Sequence, residues 1–490
     1  MTPPRSSRYL ADLVRRLRAL PHETEWVEFK ENYKRPHQVG EYLSAMANSA
    51  ALHGQSHGYV LWGVRNSTHE LVGTDFVPGA TKKGNELIEP WLAGLLDPQV
   101  HFRFHEIEVD GSRVVLLEVE RATSRPVAFQ RTEFIRVGSS TRRLRDQSSR
   151  ERRLWHLLLE HSFEEGIAAE HLTGEDVLQA LDYPAYFHLL GVPPADGHDA
   201  VLEALAHDRL IKRNQAGGYD ITNLGAILFA RRLAEFPRLK RKAVRLIRYR
   251  GSGRMEAERE QVGGKGYASG FGGLVSHIRA WTPANEVLGP AFRRELPMFP
   301  AVAIRELAAN ALIHQDFAIS GAGPMIEVFD RRLEVSNPGE PLIDTDRFLD
   351  SQPRSRNESL ASLMRRLNIC EERGTGIDKV VDAVEAHGLP APVFEKPRGF
   401  TRASLFAHKP FRDMDRRERL HACYMHACLR HVTQQPMTNS SLRARFKIAD
   451  RNASTVSRIL ADAVDEGLIV VADPAAGPRL RRYLPFWARA

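Results

Sequence analysis

The sequence predicts a multidomain α/β and α+β protein, on three observations. Residues 9–137 alternate helical with strand periodicity, the middle of the chain holds an amphipathic helix followed by paired strands, and residues 411–490 read as three helices and a hairpin. At 490 residues, 42% of them apolar, the chain can bury several cores. The expected divisions are an α/β unit over 1–165, a small helix-and-hairpin connector over 166–235, an α/β sandwich over 236–408 and a helical tail over 411–490.

The formal charge is +8, and its placement matters more than its size. Residues 411–490 hold 14 Arg and Lys against 8 Asp and Glu, an excess that points to a polyanionic partner. Arg15, Arg16 and Arg18 interrupt the apolar residues near the start, and no later apolar run is long enough to cross a bilayer. The expectation is a cytoplasmic protein without a membrane partner. Three cysteines, Cys370, Cys423 and Cys428, are too few for a disulfide framework.

In the first unit, Leu10, Leu13, Val14 and Leu17 predict a helix over 9–20, and Trp26, Val27 and Phe29 a strand decorated by Glu23, Glu28 and Lys30. A helix follows over 38–52, then the nearly continuous apolar run 58–64, which suits a strand buried on both faces. A helix over 85–95, strands over 100–109 and 113–119 around the turn Asp110-Gly111, a strand over 133–137 and a helix over 148–161 complete the unit. Just after residue 133–137 lie hydroxyl and guanidinium groups suited to phosphate oxygens, so Arg136, Ser139, Ser140, Thr141, Arg142 and Arg143, with Lys30, are candidate nucleic-acid ligands. A plain exposed strand face, with Glu28 and Lys30 as a surface ion pair, is the alternative for that strand.

The ordered set Glu23-Thr24, Glu28-Phe29-Lys30, Ala47-Asn48, GYVLWGV, RPVAF and FIRVGSST resembles the Schlafen/AlbA-type DNA-binding domain. In the Schlafen branch, the resemblance implies a metal-dependent nuclease centre of two glutamates and a later aspartate. Glu23 and Glu28 keep the spacing here, but Arg65-Asn66 stands where the acid would follow, which disfavours a nuclease. A Schlafen-like RNase or DNase, acting for instance in phage defence, is therefore the alternative function.

The connector offers short helices, a helix over 200–207, the turn Gly217-Gly218 and a strand from Tyr219, a winged-helix-like outline. Residues 241–249 alternate apolar and arginine residues and predict an edge-facing strand. The glycine-rich stretch 261–273 fails as a phosphate loop, because Gly266 rather than Ser or Thr follows Lys265 and no strand-to-helix frame is expected around it. With no other Gly-Lys-Ser/Thr in the chain, a motor helicase is excluded.

In AVAIRELAANALIHQDF, residues 301–317, Ile304, Leu307, Ala308, Ala311 and Leu312 form an apolar stripe, with Pro300 suited to the helix start. Glu306, Asn310 and His314 recur four apart on a second line, where a carboxylate and an amide could serve a hydrated cation or a phosphate. Strands over 325–329 and 332–335 lead to Asn337-Pro338-Gly339, and Gly374-Thr375-Gly376 opens a helix whose N-terminus could face phosphate. Glu306-x-x-x-Asn310, Asn337-x-Gly339 and Gly374-x-Gly376, in that order, resemble the Bergerat-type ATP-binding (GHKL) domain shared by gyrase, a heat-shock chaperone, histidine kinases and MutL. The nearest likeness is the RecG-like branch, which pairs this domain with the Schlafen/AlbA type. The resemblance implies ATP and Mg²⁺ as cofactors, with Asn310 on the metal and Glu306 as general base for a weak ATPase. It also implies Asn337 accepting from the adenine amine, Gly339 admitting the base, and Gly374, Thr375 and Gly376 covering the phosphates.

In the tail, helices over 416–431, 440–446 (capped by Asn439) and 452–466 precede strands over 468–471 and 481–484, the winged helix-turn-helix plan. Arg451, Asn452, Ser454, Thr455 and Arg458 are expected to face bases, and the wing arginines Arg479, Arg481 and Arg482 phosphates. Many such modules bind protein instead. His421, Cys423, His426, Cys428 and His431 share one helix whose faces cannot converge on one ion. The expected function is an ATP-binding, DNA-binding transcriptional regulator, a homo-oligomer on double-stranded DNA. The second alternative is a protein-interaction scaffold with an inactive nucleotide fold.

Overall fold

The computed structural model describes residues 7–20, 24–32, 35–123, 125–159, 163–215, 217–288, 293–352, 354–370, 374–477 and 480–488. Two compact units are present, one of residues 1–173 with 212–220 and one of residues 174–211 with 221–490.

The first unit contains α1 (Ser7–Arg18), β1 (Val27–Lys30), α2 (Pro36–Leu52), β2 (His57–Trp62), α3 (Ile88–Leu95), β3 (Phe102–Val109), β4 (Ser112–Glu120), β5 (Thr132–Val137), β6 (Ser140–Arg143) and α4 (Ser148–Leu159). The main sheet runs β1-β2-β4-β3, with β1 parallel to β2 and the other pairs antiparallel. Its two faces carry separate cores. Leu13, Val14 and Leu17 of α1 pack with Phe29 and Leu61 on one, and Leu43 and Met46 of α2 with Val60 and Trp62 on the other. Because β2 is buried on both sides, its sequence is a continuous apolar run rather than an alternating one. Asp110 and Gly111 join β3 to β4 with φ of 50° and 78°, the left-handed pair that a tight hairpin demands.

Past its short antiparallel pairing with residues Ala128–Phe129, one edge of β5 is covered by side chains rather than by a strand. Ser44 Oγ accepts from Phe134 N (2.9 Å) and Ser49 Oγ from Arg136 N (3.0 Å), while Asn48 Nδ2 donates to Phe134 O (2.8 Å). Asn48 also donates to Val127 O (2.9 Å) and accepts from Val127 N (2.7 Å). Helix α2 thus satisfies an exposed sheet edge with its polar residues, which explains a fully buried Asn48 in an otherwise apolar helix. The stretch 140–143 is strand β6, antiparallel to β5.

The second unit begins with α5 (Gly174–Ala180), α6 (Tyr183–Leu190) and α7 (His198–His207). Next come the hairpin β7 (Ile211–Arg213) and β8 (Tyr219–Thr222), of which 212–220 belong to the first unit, and then α8 (Asn223–Phe229). Its main body is built from β9 (Arg245–Tyr249), β10 (Ala257–Val262), α9 (Tyr267–Trp281), α10 (Ala301–Ile313), β11 (Met325–Val328), β12 (Arg332–Pro338), α11 (Glu358–Arg366), α12 (Gly376–Ala386), β13 (Val393–Glu395) and β14 (Phe400–Phe406). The six strands run β10-β9-β11-β12-β14-β13. Strand β9 therefore lies between two neighbours, which corrects the expectation of an edge: its arginines find acidic partners, Arg248 on Asp330 (2.6 Å) and, at the surface, Arg245 on Glu260 (2.7 Å). A strand-to-helix frame does surround the glycine-rich stretch, between β10 and α9, contrary to expectation. Lys265 there pairs with Asp182 at 3.0 Å.

The tail is α13 (Arg416–Val432), α14 (Asn439–Phe446), α15 (Ala453–Asp465) and the hairpin β15 (Ile469–Val471) and β16 (Tyr483–Pro485). Asp415 and Glu418 form a reciprocal capping box on α13. The cap of α14 is Thr438, whose hydroxyl accepts from Ser441 N, and not Asn439, which is the first helical residue. Cys423 and Cys428 are small core residues, and burial pushes their thiols up to about 12.

Replacing Asn48 by Ala strands Val127 N and Phe134 O without partners in a dry interior, while Val127 O keeps the Ser44 hydroxyl (2.7 Å). A loss of about 3 kcal/mol is expected from unsatisfied buried groups of this kind. Chemical denaturation followed by tryptophan fluorescence should show the lower midpoint, with Ser149→Ala as an exposed control.

Candidate functional site

Between α10, α12 and the inner face of β12 and β14 lies a cavity of about 590 Å³, within the range of small-molecule pockets. Glu306, Asn310 and His314 line one side from a single face of α10, as their spacing requires. Asn337 and Thr401 line the floor, directly opposite each other on β12 and β14. Gly374, Gly376 and Ile377 close the side at the start of α12, and Arg354, Arg356 and Arg365 bring positive charge to the rim. Five of the expected nucleotide-site residues are therefore gathered on one cavity. Thr375 stands between two lining residues and Gly339 two positions from Asn337, without lining it themselves.

The glycines are sterically forced. A Cβ on Gly376 would lie 2.9 Å from Glu306 Oε2 and 3.9 Å from Asn310 Nδ2, so α12 begins in contact with the α10 polar pair. Gly339 has φ of +100°, and a Cβ there would lie 2.7 Å from the Cβ of Asp316. Its turn is fixed by Thr401 Oγ1 donating to Gly339 O (2.7 Å) and by Gly339 N donating to Gly399 O (2.7 Å).

Glu306 is only 5% exposed, and its carboxylate faces the first turn of α12, where helical N–H groups and the helix dipole favour negative charge. Asn337, also 5% exposed, donates through Nδ2 to Pro338 O (3.2 Å), which leaves Oδ1 as the acceptor for a ligand. His314 ends α10. Burial, with the Arg356 guanidinium adding to it, pushes its imidazole down to about 4, so it is neutral at pH 7. Burial raises the Asp378 carboxyl, in the first turn of α12, to about 6. Asn357 donates to Ile313 O (2.7 Å) and Gln315 O (2.8 Å), satisfying carbonyls at the C-terminal end of α10.

Among the described residues no group of three or more His, Cys, Asp and Glu could hold a metal ion. A cation at Asn310 would take most of its ligands from phosphate and water, as Mg²⁺ does at nucleotide sites. The donor set fits that use. Thr401, Arg354 and Arg365 had no signature in the sequence, because each comes from a separate element. Only Arg356-Asn357 stands out as a pair.

In the first unit the expected ligands divide. Arg136 is 1% exposed and Glu28 2% exposed, and the two form a buried ion pair. Lys30 pairs with the other carboxylate oxygen of Glu28. This corrects two expectations: Arg136 and Lys30 are spent on Glu28 rather than offered to phosphate, and Glu28, neutralised by two cations, is not open as a metal ligand. Arg65 pairs with Glu70 (2.8 Å) and Glu31 (3.4 Å). Glu23 lies outside the described residues. Ser139 is exposed and Ser140 half-buried at the turn into β6. In the tail, Arg451, Asn452, Ser454 and Arg458 are exposed at and along the start of α15, Thr455 is half-buried, and Arg481 and Arg482 are exposed before β16. Arg479 lies outside the described residues.

Residues 23–145 match the family "Schlafen, AlbA_2", and residues 321–405 match "Putative ATP-dependent DNA helicase recG C-terminal" (HATPase_c_4). The chain thus carries an AlbA_2-type domain followed by an ATPase-type domain of the RecG C-terminal kind. Domains of these two kinds in one chain suggest a nucleic-acid-binding ATPase. Asn337, Gly339, Gly374 and Gly376 fall inside the second match, whereas Glu306 and Asn310 precede it. No curated protein matches. Among solved structures, the DIP2311 protein of Corynebacterium diphtheriae is 18% identical over 98% of this chain and 97% of its own, with a TM-score of 0.42. The N-terminal domain of a RecG-related protein of Nitrosomonas europaea is 24% identical over 28% of this chain and 92% of its own, with a TM-score of 0.20.

The low imidazole pKa of His314 carries a pH signature. The folded value, about 4, lies below the unfolded one, so the unfolded chain binds the extra proton first as pH falls. Stability from this group is complete above about pH 6.5 and declines toward pH 4, by up to about 3 kcal/mol. His314→Gln should flatten that part of the stability profile, measured by denaturant midpoints between those pH values.

Proposed function

We propose that the protein is an ATP-binding, DNA-binding regulator, most simply a transcriptional regulator, whose nucleotide state modulates its grip on nucleic acid. The observation that carries the reading is the single cavity onto which Glu306, Asn310, Asn337, Gly374 and Gly376 converge. In this reading residues 236–408 form a GHKL-type nucleotide domain. Asn310 holds Mg²⁺, the α12 N-terminus with Thr375 and the rim arginines faces the triphosphate, and Asn337 Oδ1 accepts from the adenine amine. Glu306 is the one buried carboxylate on α10 and would orient a water as general base for slow hydrolysis. The tail is a winged helix that takes double-stranded DNA through Arg451, Asn452, Ser454, Thr455 and Arg458, with Arg481 and Arg482 on phosphates. The regulator acts as a homo-oligomer in the cytoplasm. No helix among the described residues is long and apolar enough to cross a membrane.

Helix α12 supports a route from nucleotide to DNA. Its first residue touches the Glu306 carboxylate, and near its last turn Glu385 accepts from His426 Nδ1 (2.9 Å) on α13 and pairs with Arg445 Nε (3.3 Å) on α14. Arg445 also donates to Leu389 O (2.6 Å), and His426 Nε2 bonds Ser441 Oγ (3.1 Å) in the α14 cap. A ligand that shifts the start of α12 by differential contact therefore acts on the seat of the tail helices.

Isothermal titration of the full chain with ATP and Mg²⁺ should give binding that Asn310→Ala weakens by at least about tenfold, near 1.4 kcal/mol. Absence of binding by the unaltered protein would end the nucleotide reading. Glu385→Gln should keep ATP affinity while removing the effect of ATP on duplex DNA affinity. Fluorescence anisotropy at two salt concentrations measures that effect, since phosphate contacts weaken steeply with salt.

A further inference from the structure

The strongest unassigned surface is on the first unit. Over β6, the 3-10 turn Leu144–Asp146 and α4, buried Leu144, Leu154 and Leu158 anchor the chain, while Arg142, Arg143, Arg145, Arg152 and Arg153 are exposed. The exposed acid among them is Asp146, 3.7 Å from Arg145. No carboxylate pairs with Arg142, Arg143, Arg152 or Arg153 among the described residues. By contrast Arg150, from the inward side of α4, is consumed by Glu25 and by Arg136 O (3.3 Å). Trp155 is 38% exposed, one helical turn from Arg152 on α4.

We propose that this arginine-rich face with Trp155 binds nucleic acid that presents unpaired bases, a single strand or a melted segment, separate from the duplex site assigned to the tail. The proposal rests on the nucleic-acid reading above and gives the first unit its own substrate class. Charge complementarity selects a polyanion. The cations are all arginine, whose planar fork suits phosphate oxygens and also stacks on bases. An exposed indole on the same helix as these arginines is the element that a continuous duplex cannot use, because its bases are already stacked, and that a single strand can. An anionic membrane fits less well: the outward face of α4 offers Trp155 as its one large exposed apolar side chain, where interfacial helices need several.

The test uses the full chain and anisotropy of labelled oligonucleotides of about 16 nucleotides, single-stranded and duplex, on the order of one site. The arms are Trp155→Ala, Trp155→Phe, the double variant Arg152→Glu/Arg153→Glu and, for the tail, Arg451→Ala/Arg458→Ala. Expected are a loss of about tenfold for the single strand in Trp155→Ala, that of one stacked base, with recovery in Trp155→Phe and duplex binding within about twofold of the unaltered protein. The double Glu variant should lose single-strand affinity and have a shallower salt slope. The tail variant should lose duplex binding alone. Single-strand binding indifferent to both Trp155→Ala and the double variant overturns the proposal, as does an equal loss on duplex in Trp155→Ala. So does binding to vesicles of anionic phospholipid that the double variant abolishes while oligonucleotide binding persists. If the unaltered chain binds neither oligonucleotide, the nucleic-acid reading itself fails and this proposal with it.

Discussion

Helix α12 begins in van der Waals contact with a buried carboxylate, and much of the second unit is arranged to permit this. A Cβ at 376 would lie 2.9 Å from Glu306 Oε2, so any larger residue there would displace that carboxylate. The contact joins a negative group to the positive end of a helix, which offsets part of the cost of burying it. The far end of α10 is held separately, where Asn357 at the start of α11 donates to two carbonyls. The cavity is the space left over by these two constraints. The same helix ends among His426 and Arg445, which both pair with Glu385.

A second buried charge shapes the first unit in a different way. Glu28 and Arg136 are both nearly inaccessible, and a pair of that kind contributes little net stability compared with apolar residues of similar volume. Removing one partner is costly, since the other is then left charged in a dry site. The Glu-Phe-Lys strand signature therefore acquires a structural meaning: Glu28 ties β1 to β5 through Arg136 and is screened by Lys30. The phosphate-binding capacity of this unit has to come from arginines beyond β5, and those are the ones that α4 and β6 leave open.

The architecture was legible where burial leaves a periodic trace. The continuous apolar run became β2, the Asp110-Gly111 turn joined β3 to β4, and the four-residue spacing of Glu306, Asn310 and His314 placed all three on one wall. Strand β6 was not legible, because Ser-Thr-Arg-Arg carries no apolar alternation and pairs along an edge. Arg136 was misread for a related reason: sequence reports charge, but whether a guanidinium meets solvent or a buried carboxylate depends on a residue more than a hundred positions away. The position of β9 failed similarly, since arginines on an interior strand imitate an edge when their partners lie on β10 and beyond. Thr401 and the rim arginines could not be foreseen, being supplied by three elements with no shared motif.

The electrostatics of the cavity narrow what it could hold. Glu306 is buried and His314 is neutral at pH 7, so the interior itself offers no positive charge, and the cations stand at the rim. A triphosphate entering with its anionic end toward α12 would approach the Glu306 carboxylate. Two unit charges of like sign about 5 Å apart repel by about 3 kcal/mol at an effective dielectric near 20. The N–H groups of α12 offset part of this and Asn310 supplies only a dipole. A divalent cation between carboxylate and phosphate removes the conflict, and the amide of Asn310 is suited to hold one without adding a further negative charge. On the nucleotide reading proposed above, the site would suit a metal-bound nucleotide rather than a free one, and dependence on the cation would follow from an ionised Glu306 whether or not that residue also activates water.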